Sequence, residues 1–491
     1  MNEFFVSLLL LGAVSSSEAT LPFWMTANQY GLMPESNGML AWVQASSPFR
    51  EDDGRTFQWR WAASLAANRY GNAVLPDEPH FHGMVDELYG SVRWKKFTLD
   101  VGQKHRDPDF LGASPLLGSL STTGGHLAET ENARALPGYR LWLDPVAIPL
   151  TGRHAFLYGA FGDYRTMDKN RYVPGALIHK TMVGLRFDAG ERFSFHIMLD
   201  HYAMWAGTSS NPNAHNIDVN LENYLRVITG SHAGSAGSLS DRMNVIGDQG
   251  GAELFKAEYR GDGWTLVAQH DIPYSDGSGM GFQNFPDGVN TLYFGWKDKD
   301  RWVSDIVFEY HYTRNQSGPF HTEIFDEEGH NLTPPGSSTT GGDNYFNNGE
   351  YRSGWTHFGR PMTSPFFFPK GTKNGTWTGA ARVLGIENNR MRVHHLGLSG
   401  KLFLRHPYKL MLSYSQNYGT YSSPYAGESA WQKPWGSVKE TPLRQLSGAF
   451  TGLCEDLAGL PGLALQYGLF ADYGSLLPHS FGATLGLRYS F

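Results

Sequence analysis

Hydrophobic and polar residues alternate along several stretches of the chain, and the C-terminal stretch shows this most clearly. From Phe481 to Phe491 one parity reads Phe, Ala, Leu, Leu, Tyr and Phe, whereas the other reads Gly, Thr, Gly, Arg and Ser. A period of two is typical of a β-strand, and the length suits the ~9–11 residues with which a tilted strand crosses a membrane. The apolar parity ends in aromatic residues, as a lipid-facing strand does at an interfacial girdle. This pattern predicts a membrane strand.

The same alternation predicts further strands elsewhere in the chain. It recurs at 181–187, 193–201, 302–312, 408–415 and 463–473. Charged residues on the polar parity would face water in a soluble β-sandwich and a wet lumen in a barrel, so alternation alone leaves both open. Stretches rich in Gly, Pro, Ser and Asn, such as 207–213 and 333–343, predict loops between strands. In a barrel, short turns are expected on one side and long loops on the other.

Composition favours the membrane barrel over the soluble sandwich. Charged residues make up only 18% of the 491 residues, below the ~25% usual for soluble domains. Gly (58 residues) and aromatic residues (14%) are abundant, while hydrophobic content is an ordinary 41%, which is what strands with one apolar face require. Beyond the N-terminal run, no apolar stretch approaches the ~18 residues of a membrane helix. A membrane-spanning form would therefore be a closed barrel, because lipid tolerates no unpaired backbone.

Charge and cysteine content exclude several classes of partner and site. The net charge is −7 and no basic block is present, which argues against nucleic acid, because phosphate binding needs clustered Lys and Arg. The single cysteine, Cys454, can form neither an internal disulfide nor a multi-cysteine metal site.

The N-terminal region has two interpretations. Residues 4–14 form an apolar run that precedes Ser17-Glu18-Ala19, a small-x-small cleavage site. Residues 1–19 are therefore either a signal peptide or the first strand. No fixed-period repeat or linker divides the rest, so residues 20–491 are expected to form one barrel domain with long loops.

The sequence offers no constellation for catalysis or for a cofactor. His80 and His82 share a strand face and His394-His395 are adjacent, but no third ligand has recognisable spacing, and zinc needs three or four. Gly277 to Gly281 lacks the order of a nucleophile elbow, and neither a P-loop nor a dinucleotide fingerprint is present. We therefore expect a protein that is not an enzyme and that uses no metal or cofactor.

One stretch combines flat aromatic rings with polar side chains in a way that suits sugars. Its aromatic and polar members are Asp343, Asn344, Tyr345, Asn347, Asn348, Tyr351, Arg352, Trp355 and His357. Rings cover the apolar C–H face of a sugar, and amides and carboxylates bond its hydroxyls. An interfacial girdle or plain loop packing would explain the same residues.

Several motifs, in order along most of the chain, resemble the Wzi family of capsule-assembly outer-membrane proteins. They are Pro22 to Gly31, Gly124-Gly125 with Asn132-Ala133-Arg134 and Pro137, Ile178-His179-Lys180, His201 to Gly207, Asp276 to Met280, Glu309-Tyr310 with Thr313 and Gln316 to Pro319, and Asn344 to Asn348 with Gly354-Trp355. The resemblance implies an all-β fold, a large antiparallel transmembrane β-barrel of about eighteen strands with minor helical segments. It also implies lectin-like attachment of capsular polysaccharide or exopolysaccharide at the cell surface.

Two functions from different classes follow for an outer-membrane protein in contact with lipid. A polysaccharide-binding barrel would have a plugged lumen and bind polymer through external loops. A diffusion channel for sugars or small solutes would have an open polar lumen and conduct ions. For the first, the candidate site residues are Asp276, Tyr345, Tyr351, Trp355 and Arg360: the rings would stack on sugars, Asp276 would accept hydroxyl hydrogen bonds, and Arg360 would pair with acidic sugars.

Overall fold

A computed structural model describes most of the chain. The described residues are 5–16, 21–34, 36–49, 57–70, 81–106, 117–209, 211, 216–234, 237–238, 241–242, 245–275, 281–318, 343–372, 385–427 and 440–490. Candidate residue Asp276, the terminal Phe491 and most of the loop predicted at 333–343 lie outside them.

Eighteen antiparallel strands form one closed barrel, which confirms the predicted fold class. They are β1 (Phe5–Ser15), β2 (Gly38–Ser46), β3 (Phe57–Tyr70), β4 (Phe81–Trp94), β5 (Phe97–Gln103), β6 (Pro137–Ala147), β7 (Ala155–Arg165), β8 (Leu177–Ala189), β9 (Phe193–Trp205), β10 (Asp248–Arg260), β11 (Trp264–Tyr274), β12 (Gly288–Trp296), β13 (Asp305–Tyr312), β18 (Arg390–Leu402), β19 (His406–Gly419), β20 (Leu443–Cys454), β21 (Leu463–Gly474) and β22 (Ser480–Ser490). Each pairs with its neighbour in chain order, and β13 pairs with β18.

The remaining elements of the described chain are short. They are the helices α1 (Phe23–Thr26) and α2 (Leu221–Ile228), a 3₁₀ turn at Leu457–Gly459, and the two-residue ladders of β14 (Thr356–His357) with β15 (Arg360–Pro361) and of β16 (Phe368–Pro369) with β17 (Ile386–Asn388). Neither α-helix is long or apolar enough to cross a membrane.

Strand β1 closes the barrel by pairing with both β2 and β22. Leu8 lies between Val43 and Tyr489, and Leu10 lies opposite Leu487. The apolar run whose interpretation the sequence left open between a signal peptide and a first strand thus lies in a barrel strand of the structure. All five internal stretches with alternating patterns also lie in strands, although β13 begins at Asp305, three residues later than the pattern at 302–312 predicts.

The alternation places apolar side chains on the outside of the barrel and polar ones in the lumen. Large exposed hydrophobic residues on the outside include Leu8, Leu10, Val183, Leu199, Phe308, Leu469, Phe481, Leu485 and Leu487. Near one rim, the rings of Phe57, Trp94 and Phe97 stack at 6.1 and 6.3 Å, as in an interfacial aromatic girdle. This apolar outer wall fits contact with lipid.

The two ends of the barrel differ in the length of their connections. Short turns lie at the end of the barrel where β1 begins and β22 ends. Examples are Lys95-Lys96 between β4 and β5, 261–263 between β10 and β11, and 403–405 between β18 and β19. We call this the short-turn end. At the opposite, long-loop end, connections such as 104–136 and 313–389 are far longer. The predicted asymmetry is confirmed.

Three connections from the long-loop end fold back into the lumen and fill it. We call the segments 21–34, 117–136 and 343–372 together the plug, and they contribute half of the main buried hydrophobic cluster. Gly397 and Gly482, which face inward, lie where the plug passes close to the wall. A Cβ at Gly482 would come within 2.5 Å of the Met25 sulfur, and one at Gly397 within 2.8 Å of the Leu120 carbonyl oxygen.

Candidate functional site

The second plug segment is tied to the wall by a buried carboxylate. Glu309 of β13 accepts hydrogen bonds from the hydroxyls of Ser121 and Thr122, each at 2.5 Å, and from the backbone N–H of Thr122 at 2.9 Å. Glu309 is fully buried. An inward carboxylate in a wet lumen would need no such partners, so this cluster fixes segment 117–136 across the lumen.

Further contacts run from the same segment around most of the barrel. The backbone N–H of Leu127 donates to Asp271 of β11 at 2.8 Å, and His395 of β18 lies 2.9 Å from the Leu120 carbonyl oxygen. Glu129 lies 3.2 Å from the ammonium of Lys180 on β8. Lys180 and nearby arginines hold the pKa of Glu129 at about 2 despite its burial. The segment therefore spans the lumen from β8 to β18.

The third plug segment is anchored by Tyr345 and Trp355. The Tyr345 hydroxyl donates to Asp287 at 2.9 Å, and Asp287 also accepts the backbone N–H groups of Asn315 and Gln316. Burial raises the pKa of Asp287 to about 7. The ring of Trp355 meets that of Tyr202 on β9 edge-on at 4.7 Å.

A cleft of about 210 Å³ lies at the long-loop end between this segment and the rims of β10 and β11. Its polar lining includes Asp248, Gln249, Ser275, Asp343, Asn344 and Asn348. The carboxylate of Asp248 faces Asn348 and Trp355. Carboxylate and amide groups can bond several hydroxyls at once, so the cleft is chemically suited to a sugar.

The structure brings only part of the predicted site together. Tyr345 and Trp355 both line the cleft, and Ser275 in its wall directly precedes Asp276, which lies outside the described residues. Tyr351 instead donates its hydroxyl to the Ala206 carbonyl oxygen at 3.1 Å, and Arg360 donates to the Thr26 carbonyl oxygen at 3.3 Å. Neither residue lines the cleft.

The four described candidates are buried in the plug, although the sequence placed them in an outer loop. Tyr345 and Trp355 are each 1% exposed, Tyr351 is 6% exposed and Arg360 is 7% exposed. Little of their ring faces is open to a ligand, so in this arrangement the polar side chains of the cleft would make most contacts. A direct role for these residues in binding sugar stays a prediction.

Asp248, Gln249 and Tyr274 of the cleft were missed by sequence reasoning. All three stand at the long-loop ends of barrel strands, where no motif marks them as part of a site. The amide-rich stretch 343–348, by contrast, was recognisable from its composition. Among the described residues, no group of three or more His, Cys, Asp or Glu side chains is placed to hold a metal ion.

A buried histidine joins two segments of the plug to the β7–β8 connection and makes the stability of the plug depend on pH. His357 accepts the backbone N–H of Met167 at 3.1 Å through Nε2, so its Nδ1 donates to the Arg134 carbonyl oxygen at 3.0 Å. Burial lowers the pKa of His357 to about 4, with Asp168, Arg171 and Arg134 as the charged neighbours. The neutral imidazole therefore stabilises the fold above its unfolded pKa of about 6.5, and that contribution is lost as pH falls towards 4.

We expect protease accessibility of the plug to rise between about pH 6.5 and pH 4 in the wild-type protein, because up to about 3 kcal/mol of stabilisation is lost there. His357→Asn removes this titration and should flatten that part of the profile. The measurement is limited proteolysis of the detergent-purified protein along a pH series. Identical profiles for the two proteins would contradict the role of His357.

The barrel and its filled lumen define a class, a large outer-membrane β-barrel whose interior is occupied by its own chain. No protein-family model matches the chain, and no curated protein sequence does.

Among solved structures the chain is similar to Wzi of Escherichia coli, an outer-membrane protein involved in group 1 capsule assembly that is described as a carbohydrate-binding β-barrel. The TM-score is 0.54 at 13% identity, covering 99% of this chain and 84% of that one. It is also similar to the outer-membrane proteins OccAB2 of Acinetobacter baumannii (TM-score 0.45, 11% identity, 100% of this chain and 98% of that one) and OccK9 of Pseudomonas aeruginosa (0.46, 10%, 100% and 98%). The similarity to Wzi, at 13% identity, shows a shared fold alone. In such barrels the short turns face the periplasm and the long loops face outward.

Proposed function

We propose that this protein binds and organises a capsular polysaccharide or exopolysaccharide at the cell surface, through the cleft at its long-loop end. The observation that carries the proposal is the plug: its segments are held in the lumen by buried carboxylate hydrogen bonds and aromatic packing. A barrel filled in this way serves binding at its mouth better than passage through its centre. The carbohydrate binding described for Wzi adds support.

The chemistry of the cleft favours hydrogen bonding to sugar hydroxyls. Its amides and carboxylates supply donors and acceptors, and the edges of Tyr345 and Trp355 supply limited apolar contact. A cleft of about 210 Å³ holds little more than one sugar unit. Affinity for a polymer would then come from many weak, repeated contacts that raise the effective concentration. Asp276, next to Ser275, would add a further acceptor.

The alternative is a diffusion channel, which needs a continuous open lumen. Segment 117–136 crosses the lumen and bonds to both β8 and β13. This contact pattern favours the binding protein over the channel. Steady ion conductance of the wild-type protein in planar bilayers, without binding to the polymer, would favour the channel instead. The proposal involves no catalytic step.

The sharpest test fills the cleft without removing a buried contact. Ser275→Trp places a bulky ring at the wall of the cleft. We expect it to weaken binding of capsular polysaccharide from the source organism by about tenfold or more, because central contacts dominate binding energy. The measurement is binding of the purified protein to immobilised polymer, with conductance recorded on the same preparation.

The matched control is Ser422→Trp. Ser422 is exposed in the connection between β19 and β20 at the same end of the barrel and does not line the cleft. Ser422→Trp should bind the polymer as tightly as the wild-type protein does. Unchanged binding by Ser275→Trp, with both variants folded, would rule out the cleft as the site.

A further inference from the structure

A second and larger cavity lies on the other side of the plug. It measures about 410 Å³ and lies between the walls of β3 to β10 near their short-turn ends. Arg93 and Thr98 of its lining flank the β4–β5 turn, and Asp144 lies near the end of β6. Arg106 and His126, which lead into or belong to the plug, line its inner part. We call this cavity the vestibule.

The vestibule carries a marked excess of positive charge. Six cationic side chains line it, against two carboxylates: Arg60, Arg93, Lys104, Arg106, Arg140 and Lys256, against Asp100 and Asp144. The chain as a whole is acidic, at −7. Concentration of positive charge in a low-dielectric chamber focuses the field and attracts anions.

Lys104 and Arg106 are neutralised by carboxylates. Lys104 lies 2.8 Å from Asp100, and Arg106 lies 3.9 Å from Glu129. Asp144 instead accepts the indole N–H of Trp142 at 2.9 Å.

Three arginines of the vestibule lie over aromatic rings. Arg60 and Arg93 lie over the ring of Phe49 at 4.7 and 4.1 Å, and Arg140 lies over Trp142 at 5.0 Å. None of the three forms a direct ion pair within the part of the chain that the structure describes, although Arg140 lies near Glu129 and Asp100. All three remain partly exposed. Arg60 and Arg93 each donate through Nε, to the hydroxyls of Ser91 and Thr98 at 3.4 and 3.5 Å. A ring contact uses no hydrogen-bond donor, so the two terminal nitrogens of these guanidinium groups can bind an oxyanion.

We propose that the vestibule is a binding site for an acidic saccharide, which enters from the short-turn end and presents carboxylates to Arg60, Arg93 and Arg140. The arginines stand on three different strands, β3, β4 and β6, so they match a ligand with several separated anionic groups better than a single small anion. The volume falls within the ~300–1,000 Å³ usual for ligand pockets. Trp142 and Tyr158 add ring edges for the sugar.

This site lies beyond the proposed function and does not depend on it. The vestibule and the cleft share no lining residue and lie towards opposite ends of the barrel. The plug stands between them, so a chain bound in the vestibule would be held on the periplasmic side. The barrel would then engage acidic saccharide on the side from which polymer is exported.

The test uses the full-length protein in detergent and isothermal titration calorimetry with three probes: trigalacturonate, the neutral maltotriose and inorganic phosphate. We expect saturable binding of trigalacturonate, with maltotriose and phosphate each at least tenfold weaker. The double variant Arg93→Gln/Arg140→Gln should weaken trigalacturonate binding by about a hundredfold, because each charge-assisted contact contributes roughly tenfold. Raising the salt concentration should also weaken it.

Arg192→Gln is the matched control, because Arg192 is exposed at the short-turn end and pairs with Asp262 at 2.6 Å outside the vestibule. It should bind trigalacturonate within twofold of the wild type, as should Ser275→Trp. Equal binding of maltotriose or phosphate would overturn the assignment to an acidic saccharide. Full binding by the folded double variant, or loss of binding in Ser275→Trp, would overturn the assignment to the vestibule.

Discussion

Glu309→Ala is expected to release the second plug segment and convert a closed barrel into a conducting one. Removing the carboxylate deprives the Thr122 N–H and the Ser121 hydroxyl of their acceptor in a buried site, whereas the Thr122 hydroxyl still lies 3.0 Å from His311 Nε2. Each buried donor left unsatisfied costs about 1–3 kcal/mol. If the plugged state is destabilised by about 3–5 kcal/mol in total, the fraction of molecules with an open lumen rises by ~10² or more. Single-channel recording in planar bilayers measures this directly.

The control for Glu309→Ala is Glu258→Ala. Glu258 shares the inward parity of Lys256 on β10, and its carboxylate pairs with Arg260 at 2.7 Å near the short-turn end. Glu258→Ala removes an inward carboxylate that bonds no part of the plug, so the conductance of this variant should stay at the wild-type level. If both variants conduct equally, or if Glu309→Ala remains closed, the buried cluster does not hold the plug.

The barrel could be predicted from the sequence because each strand is specified by residues that are close together in the chain. A period of two within about ten residues specifies which side chains face lipid, and the pattern at 481–491 predicted β22 almost to the residue. Low charge content then distinguished the membrane barrel from a soluble sandwich. The start of β13 was misplaced because Trp302 continues the apolar parity although it lies in the turn before the strand.

The plug could not be predicted because its contacts join residues that are far apart in the chain. Thr122 and Glu309 are separated by 187 positions, and each alone looks like an ordinary loop or lumen residue. The same holds for the candidate site. Aromatic and amide residues at 343–355 have the composition of an exposed sugar-binding loop, but Trp355 and Tyr345 are nearly covered by β9 and by the β11–β12 loop. Whether a side chain is buried depends on distant residues that pack against it, and the composition of the local stretch does not reveal them.

The cleft and the vestibule could not be predicted for the same reason, because each is formed by residues that are far apart in the chain. Asp248 and Ser275 face the amides of segment 343–348 only because the plug folds back into the barrel. The excess of positive charge in the vestibule is invisible in a chain of net charge −7, since the six cations come from residues spread between positions 60 and 256. The sequence could predict the chemistry of segment 343–348, but not the carboxylates that complete the cleft.

Trp355→Ala is expected to loosen the third plug segment while the barrel stays folded. The indole is 1% exposed and packs on Tyr202, and truncation of a buried Trp costs about 3–5 kcal/mol. The loss falls on segment 343–372, because the eighteen-strand ladder does not involve this side chain. We expect faster proteolysis of that segment, higher conductance and weaker polymer binding, since the cleft loses one of its walls. Proteolysis mapped by mass spectrometry, together with conductance, measures the effect.

Two companion variants separate packing from contact with sugar. Trp355→Phe keeps most of the buried ring and should restore a closed plug, whereas Trp264→Ala removes a tryptophan from the outer wall, where it stacks on Phe294 at 6.0 Å, and should leave the plug closed. If Trp355→Ala weakened polymer binding while proteolysis and conductance stayed at wild-type values, the indole would act by touching the sugar and not by supporting the plug. If all three readouts matched the wild type, Trp355 would serve neither role. A joint change in all three readouts means that the shape of the cleft depends on how the plug is packed.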